Sequence, residues 1–421
     1  MAYKAYKYRI YPDAEQRQKM MQFFGCVRVV YNMCLDNYCQ KYEEWKKNGT
    51  DIGKTPLVTE FKKEKFFLKD CDNAALAYAR SNFDKALSDF FKSKKGKRKG
   101  KKVGFPKHKK RGKSKFAYKT CDTHGGIRFD EDYTHIKLPK IGWVKCVYHR
   151  GYEGIIKAVT VTMTKSGKFY ISVMSEVDGI KPLLNRNKKT ENLSVVGLDM
   201  SLPKFCVSSC EDDDAIIKYR HEYRREEMRL RRLNRRLSRK ENKSKNREKA
   251  RKRLSALHEK IANRRKDFII KSALYFARKY DVVVIEDLNM QNMARSLCLG
   301  KSVMDLGWGM FKTWLGIECE KYDTYLIKAD KWFASSKTCH ECGAKNTLLE
   351  LSEREWVCPN CGCVIDRDRN AAINLRDYFL KQYNTAGTAE INACGDNTST
   401  LRETLVQVLS LKQEAPHFRE E

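Results

Sequence analysis

No apolar run in the 421 residues is long enough to cross a bilayer, and the chain does not open on a secretory signal. These two absences predict a protein that neither spans a membrane nor folds in an oxidising compartment. Acidic residues are scarce where basic ones gather. From Lys92 to Lys115 there are 14 basic and no acidic residues, and from Arg220 to Lys266 there are 21 basic and 6 acidic. These stretches, +14 and +15, carry nearly all of the net charge of +32, so the remainder of the chain is close to neutral. Neither stretch has the broad apolar face of an interfacial helix, which argues against a polybasic membrane contact. Two dedicated basic surfaces are the footprint of a protein that neutralises phosphates.

Sixteen cysteines are present, and four of them are ordered. Cys339/Cys342 and Cys358/Cys361 form two C-x2-C pairs fifteen residues apart. That spacing lets two tight knuckles offer four thiolates tetrahedrally to one zinc ion. In a reducing compartment the disulfide alternative is disfavoured. Four-cysteine sites are closed, so the zinc is expected to be structural. Cys363, just beyond the last knuckle, has no place in a four-ligand site. Cys26 and Cys34 lie singly among apolar residues and are expected to be small core side chains.

The order of elements follows from periodicity. Tyr6, Tyr8 and Ile10 alternate with polar neighbours before Pro12, a short strand, and Asp13 caps the helix that follows. That helix repeats Met20, Phe23, Phe24, Val27, Val30, Tyr31, Cys34 and Tyr38 at three- and four-residue steps; a second runs through Leu76, Phe83, Leu87, Phe90 and Phe91. Tyr31, Asn32, Arg80 and Asn82 could serve packing or read a duplex. The basic linker, with Gly96, Gly100 and Gly104-Phe105-Pro106, is expected to be irregular and gripped by nucleic acid. Short strands follow, the clearest being the hairpin Val159–Met163 and Phe169–Val173 around Lys165–Lys168, and together they predict a small barrel. Residues 181–192 read as a linker.

Beyond it, a buried strand ends in Asp199 and a second lies near Phe205 to Ser209. A basic helical hairpin comes next, with stripes Leu230/Leu233/Leu237 and Leu254/Leu257/Ile261. Its seam is narrow and its outer faces are arginine and lysine, as a clamp on phosphate backbones requires. Asp281–Leu288 is a buried strand ending in Glu286 and Asp287; a packing helix around Trp308 and a strand at Tyr325 precede the cysteine knuckles. After them, Asp366-Arg367-Asp368 leads into a helix. Strand-acid, strand, helices, strand-acid, helix, strand, helix-acid is the layout of a ribonuclease-H-like nuclease. Such a site needs carboxylates converging from two strand ends and a helix start, because two Mg²⁺ ions must bridge the attacking water, the scissile phosphate and the leaving oxygen. Asp199 alone says little, since many strands end in a solvated acid; Asp199, Glu286 and Asp368 together supply the trio.

The motifs Gly197-Leu198-Asp199, Ile285-Glu286-Asp287-Leu288-Asn289, Ser335-Ser336-Lys337-Thr338-Cys339 and Asp366-Arg367-Asp368-Arg369-Asn370-Ala371-Ala372 resemble those of the TnpB proteins of bacterial insertion sequences. Tyr31-Asn32, Gly104-Phe105-Pro106 and the tail's Lys412-Gln413-Glu414-Ala415-Pro416 match as well. These proteins are RNA-guided DNA endonucleases related to miniature type V CRISPR effectors. The resemblance implies an α/β multidomain chain: a wedge β-barrel (1–12 and 121–180), a helical recognition lobe with the basic linker (13–120), a linker (181–192), a RuvC-type nuclease domain (193–335 and 365–380), an inserted zinc ribbon (336–364) and a disordered tail (381–421). It implies Asp199, Glu286 and Asp368 as ligands of two catalytic Mg²⁺ ions, with Asp287 and Asp366 as neighbours, and Cys339, Cys342, Cys358 and Cys361 as ligands of one Zn²⁺. The implied partners are a guide RNA and a target DNA duplex. Base pairing would read the sequence, and the protein would read a short adjacent motif. Arg231, Arg232, Arg235, Arg236, Lys101, Lys102, Lys109 and Lys110 are the expected nucleic-acid contacts. A monomer in the bacterial cytoplasm, at the nucleoid, is expected. The rival readings are a strand-transferring transposase on the same acidic fold and a non-enzymatic zinc-ribbon RNA-binding protein; the latter leaves the placement of the three acids unexplained.

Overall fold

The computed structural model describes residues 2–121, 126–178, 193–202, 204–213, 217–219, 221–288, 300–330, 332–350 and 353–391. The expected linker 181–192, Asn289 and the tail beyond 391 lie outside them. The chain folds as two compact units, one of Met1–Ile180 with Arg251–Ala256 and one of Lys181–Ala250 with Leu257–Glu421.

In the first unit, β1 (Ala2–Tyr11) leads through Asp13 into α1 (Ala14–Asn48). Asp13 Oδ1 accepts from Gln16 N at 2.8 Å while Gln16 Oε1 accepts from Asp13 N at 3.2 Å, a reciprocal cap that satisfies two donors the first turn leaves free. The expected apolar stripe of α1 is buried, with Met20, Phe23, Phe24, Val30, Tyr31 and Cys34 in the core beside Leu76 and Phe83 of α3 (Asn73–Lys94), which follows the short α2 (Val58–Glu64). Six further strands follow: β2 (Phe116–Cys121), β3 (Arg128–Phe129), β4 (His135–Leu138), β5 (Gly142–Val147), β6 (Ile155–Met163) and β7 (Phe169–Val177). The β6–β7 hairpin closes with Met163 opposite Phe169, and Thr164 N donates to Lys168 O at 2.9 Å.

The strands form one antiparallel ladder in the order β2-β6-β7-β1-β5-β4-β3. Two expectations change here. No pairing joins β2 to β3 among the described residues, so the ladder they form is an open sheet where a barrel was expected; residues 122–125, between β2 and β3, lie outside them. The sheet also takes in residues 116–120, assigned above to the helical lobe. Tyr118 and Thr120 alternate inward there and pair with Val161 and Val159, which fixes them as strand.

In the second unit, β8 (Val195–Asp199), β9 (Val207–Ser208), β10 (Val282–Glu286) and β11 (Tyr325–Ala329) make a sheet ordered β11-β10-β8-β9. The first, third and fourth are parallel, and β9 is antiparallel. Alternate residues of β10 serve two cores. Val283 and Ile285 pack with Phe276 of α5 (Lys245–Lys279) and with Trp308, Phe311 and Leu315 of α7 (Trp308–Tyr322), which follows α6 (Gly300–Leu306). Val282 and Val284 pack with Leu375 and Phe379 of α8 (Arg367–Ile391). Helices on both faces of a mostly parallel sheet are what its continuous apolar strands require. α8 runs to Ile391, past the start of the expected tail at 381. Its docked first half supplies the nucleus, and propagating a helix costs far less than starting one.

The basic hairpin is α4 (Glu222–Ser238) and the start of α5. Arg264 pairs with Glu222 at 3.0 Å, and Arg247 donates to the carbonyls of Leu237 and Lys240 at 3.0 and 2.7 Å, which sets the two helices antiparallel. A small ribbon holds β12 (Glu355–Val357) and β13 (Val364–Asp366), antiparallel. No helix among the described residues is long and apolar enough to cross a membrane.

Candidate active site

Strand register brings the first two acids together. Ile285 lies beside Leu198 in the parallel β8/β10 pair, so Glu286 and Asp199 follow at the carboxyl ends of adjacent strands, with backbones about 4.8 Å apart. The third acid arrives on α8, and Gly197 lets it. A Cβ at Gly197 would lie 2.0 Å from Ala372 O and 2.6 Å from Arg376 N, so the helix backbone rests directly on the strand two residues before Asp199. Buried Ala371 and Ala372 keep that approach close, and it sets Asp368, in the first turn of α8, over the strand ends.

The three carboxylates feel one another. The Asp199 carboxyl is held well above the usual carboxylate range, first by burial and then by the charges of Glu286 and Asp368, against the opposing pull of Arg367 and Arg354. Burial also raises Glu286, opposed by the bond it accepts from Ser335 Oγ. A buried Asp199 raised further by the charges of two neighbouring carboxylates marks a donor set that divalent cations satisfy, and oxygen ligands suit magnesium. Asp368, nearly buried, accepts from Ser201 Oγ, from Arg354 Nη1 at 2.9 and 3.1 Å and from Arg367 Nη2 at 3.4 Å. Arg354, at the edge of the ribbon, also donates to Leu202 O at 2.6 Å. Neither Arg354 nor Ser201 carries a signal in the sequence: one sits in a charged turn between cysteine pairs, the other in a loop.

The neighbouring acids take other work. Asp366 Oδ1 accepts from Arg369 N at 2.8 Å and so caps α8, and Asp287, half exposed, pairs with Lys312 at 2.9 Å.

The four expected cysteines converge. Their sulfurs all lie within 4.8 Å of one another, Cys339 being 3.7 Å from Cys361 and Cys342 3.6 Å from Cys358. A disulfide would need about 2.05 Å. Tetrahedral thiolates at ~2.3 Å from zinc stand roughly 3.8 Å apart, so both the donor set and its spacing fit that ion. Cys363 stays outside the group, its thiol directed to Val364 O.

The expected nucleic-acid contacts divide. Arg231, Arg232, Arg235 and Arg236 are exposed on α4, with Arg231 paired to Glu227 at 2.9 Å; Lys101, Lys102 and Lys110 are exposed in the basic linker. Lys109 differs. Its ammonium sits 3.5 Å from the Tyr31 ring centre, burial lowers its pKa, and its backbone is held at both ends by the Asn32 amide. Lys109, Tyr31 and Asn32 therefore anchor the linker to α1, and Arg80 likewise holds Thr55 O at 2.9 Å. Asn82 lies beside a hollow of about 560 Å³ that Arg28, Tyr78 and Lys119 also line.

Residues 170–297 match the OrfB_IS605 family, described as "Probable transposase"; 308–375 match a Cas12f1-like TNB domain and 1–47 the helix-turn-helix domain of OrfB_IS605. A Streptomyces pristinaespiralis protein named "Putative RNA-guided DNA endonuclease" is 32% identical over 95% of this chain and 93% of its own length. InsQ of Escherichia coli K12, under the same description, is 27% identical over 88% of this chain and 91% of its own. A solved Cas12f1 chain in complex with sgRNA and target DNA aligns with a TM-score of 0.48 at 15% identity, over 89% of this chain and 98% of that one. From the near-full-length match at 32% identity, the chain belongs to the TnpB family.

Proposed function

We propose that this protein is an RNA-guided DNA endonuclease that hydrolyses one phosphodiester at a time at Asp199, Glu286 and Asp368. The observation that carries the reading is the convergence of these three acids from two parallel strand ends and a helix start, with Asp199 titrating under the charge of the other two. Two Mg²⁺ ions, when bound, would lower the pKa of the attacking water and offset charge on the leaving oxygen. The carboxylates would hold those ions, Ser201 orients Asp368, and Ser335 orients Glu286. Arg354, which donates to Asp368 and to Leu202 O, would hold that carboxylate in place for the ions. Cys339, Cys342, Cys358 and Cys361 would hold one structural Zn²⁺ beside this site.

The exposed arginines of α4 and the lysines of the linker would track the guide RNA and its DNA partner by their backbones, leaving sequence to base pairing. The names of the relatives support this division of labour, as do the two basic surfaces. The domain assignment follows: open β-sheet and helices as wedge and recognition lobe, the α/β unit as nuclease, 336–364 as ribbon. The test is to sequence the RNA that copurifies, reprogramme it, and measure Mg²⁺-dependent cutting of a matched duplex. Guide-directed cutting that Glu286→Ala abolishes is expected. Guide-independent joining of DNA ends would instead establish the transposase reading, and cutting by Glu286→Ala at the parent rate would show the site misplaced.

A further inference from the structure

Two asparagines of α8 are tied to the first cysteine knuckle by a closed set of bonds. Asn370 and Asn374 stand four residues apart, so their amides share one face of the helix, and both are buried. Asn370 Nδ2 donates to Ser335 O at 3.3 Å and Thr338 O at 2.8 Å; Asn374 Nδ2 donates to the same two carbonyls at 2.8 and 2.6 Å. Two amide groups with four hydrogens thus meet two carbonyls with four lone pairs. On its other side Asn370 Oδ1 accepts from His340 N and faces His340 Nδ1, each at 2.9 Å. The turn they grip, Ser335 to His340, contains the first knuckle ligand, Cys339, and begins with the hydroxyl that donates to Glu286 Oε1. Asn370 is two residues beyond Asp368.

We propose that Asn370 and Asn374 are positioning residues for the candidate metal site: acting through Ser335, they set the Glu286 carboxylate from the same helix that carries Asp368. This rests on the nuclease reading above. The two amides grip the turn at both of its ends, and Ser335, nearly buried itself, has one hydroxyl hydrogen, which Glu286 takes. If the amides release the carbonyls, the turn shifts, the hydroxyl leaves Glu286, and the carboxylate loses the contact that fixes its orientation. The ribbon's part is then to present Ser335 as well as to bind its own ion. An aspartate at 370 or 374 would turn a carboxylate against two carbonyl oxygens, so the amide is required chemically as well as by shape.

The test uses the whole chain without RNA, with Mn²⁺ as the probe, its binding followed by electron paramagnetic resonance, and zinc measured on the same samples. Ser335→Ala is expected to weaken Mn²⁺ binding about 10- to 100-fold, the range for removing a group that orients a metal ligand, while zinc stays at one per chain. Ser335→Thr, which keeps the hydroxyl, should return to within about twofold of the parent under the same rule. Asn374→Leu should match Ser335→Ala, and the double variant should be no weaker than either single, because both act by one route. With guide and target DNA, cleavage by the variants should need more Mn²⁺ for half its rate yet approach the parent rate at saturation. Parent-like Mn²⁺ affinity in Ser335→Ala overturns the proposal, as does a double variant whose loss is the product of the singles. Should Asn374→Leu unfold or lose zinc, the Ser335→Ala and Ser335→Thr pair decides alone. Mn²⁺ binding to the parent that Glu286→Ala leaves untouched would overturn the nuclease reading itself, a separate outcome from a Ser335→Ala that binds normally.

Discussion

Replacing Gly197 by alanine adds one methyl group, and its consequence can be worked from distances. The new Cβ would sit 2.0 Å from Ala372 O and 2.6 Å from Arg376 N, both backbone atoms inside α8 that no side-chain rotation can clear. An ordinary carbon–oxygen approach is about 3.3 Å, so the helix must retreat by roughly 1.3 Å or the strand must buckle. Overpacking of this kind costs about 1–3 kcal/mol, and the upper end is expected because the clash is with main chain. The retreat carries Asp368 away from Asp199 and Glu286, which stay on their strands. A misplacement of ~1 Å at a reacting centre is worth about 100-fold in rate. Gly197→Ala should therefore lose about 3 kcal/mol in a urea titration and about 100-fold in single-turnover cleavage, while still binding guide RNA, since the basic surfaces are untouched. A variant with parent stability and parent rate would refute the argument that Gly197 sets the approach of α8.

Asp199→Ala, Glu286→Ala and Asp368→Ala should each abolish cleavage nearly as fully as the triple variant while retaining guide-directed target binding, measured side by side; additive losses would contradict a shared metal cluster. Asp366→Ala removes only a helix cap, so it should cost about 1 kcal/mol in a denaturation midpoint and keep more activity than Asp368→Ala. Cys358→Ser should release zinc and, by loosening the ribbon that carries Arg354, abolish cutting; full zinc occupancy would refute the ligand set. Changing Arg231, Arg232, Arg235 and Arg236 together to alanine should make the log-log salt dependence of nucleic-acid binding shallower by up to about 0.7–0.9 for each phosphate no longer neutralised, and an unchanged slope would remove α4 from the interface.

Much of this was local and therefore readable in the chain. The C-x2-C pairs fix four thiols by spacing alone, and the structure gathers the same four. Continuous apolar runs named the strands β8 and β10, and with them the acids at their ends, because burial on both faces is written into the composition of the run itself. The helical stripe of α1 and its Asp13 cap depend on neighbours three and four residues away. What periodicity cannot carry is proximity between distant residues. Ser201 and Asp368 are 167 positions apart, Ser335 and Glu286 are 49 apart, and Arg354 reaches Asp368 because β12 pairs with β13 and sets Arg354 O against Arg367 N at 2.8 Å. The same limit explains the departures. Charge counting did not show that the Lys109 ammonium packs on Tyr31. The barrel was inferred from strand count, whereas closure depends on whether β2 and β3 meet, and that is decided by the ladder as a whole. Sequence determined which residues could serve, since their types and short spacings are covalent facts; tertiary structure alone decided which of them stand together, because that depends on the close approach at one glycine and on strand register between segments far apart in the chain.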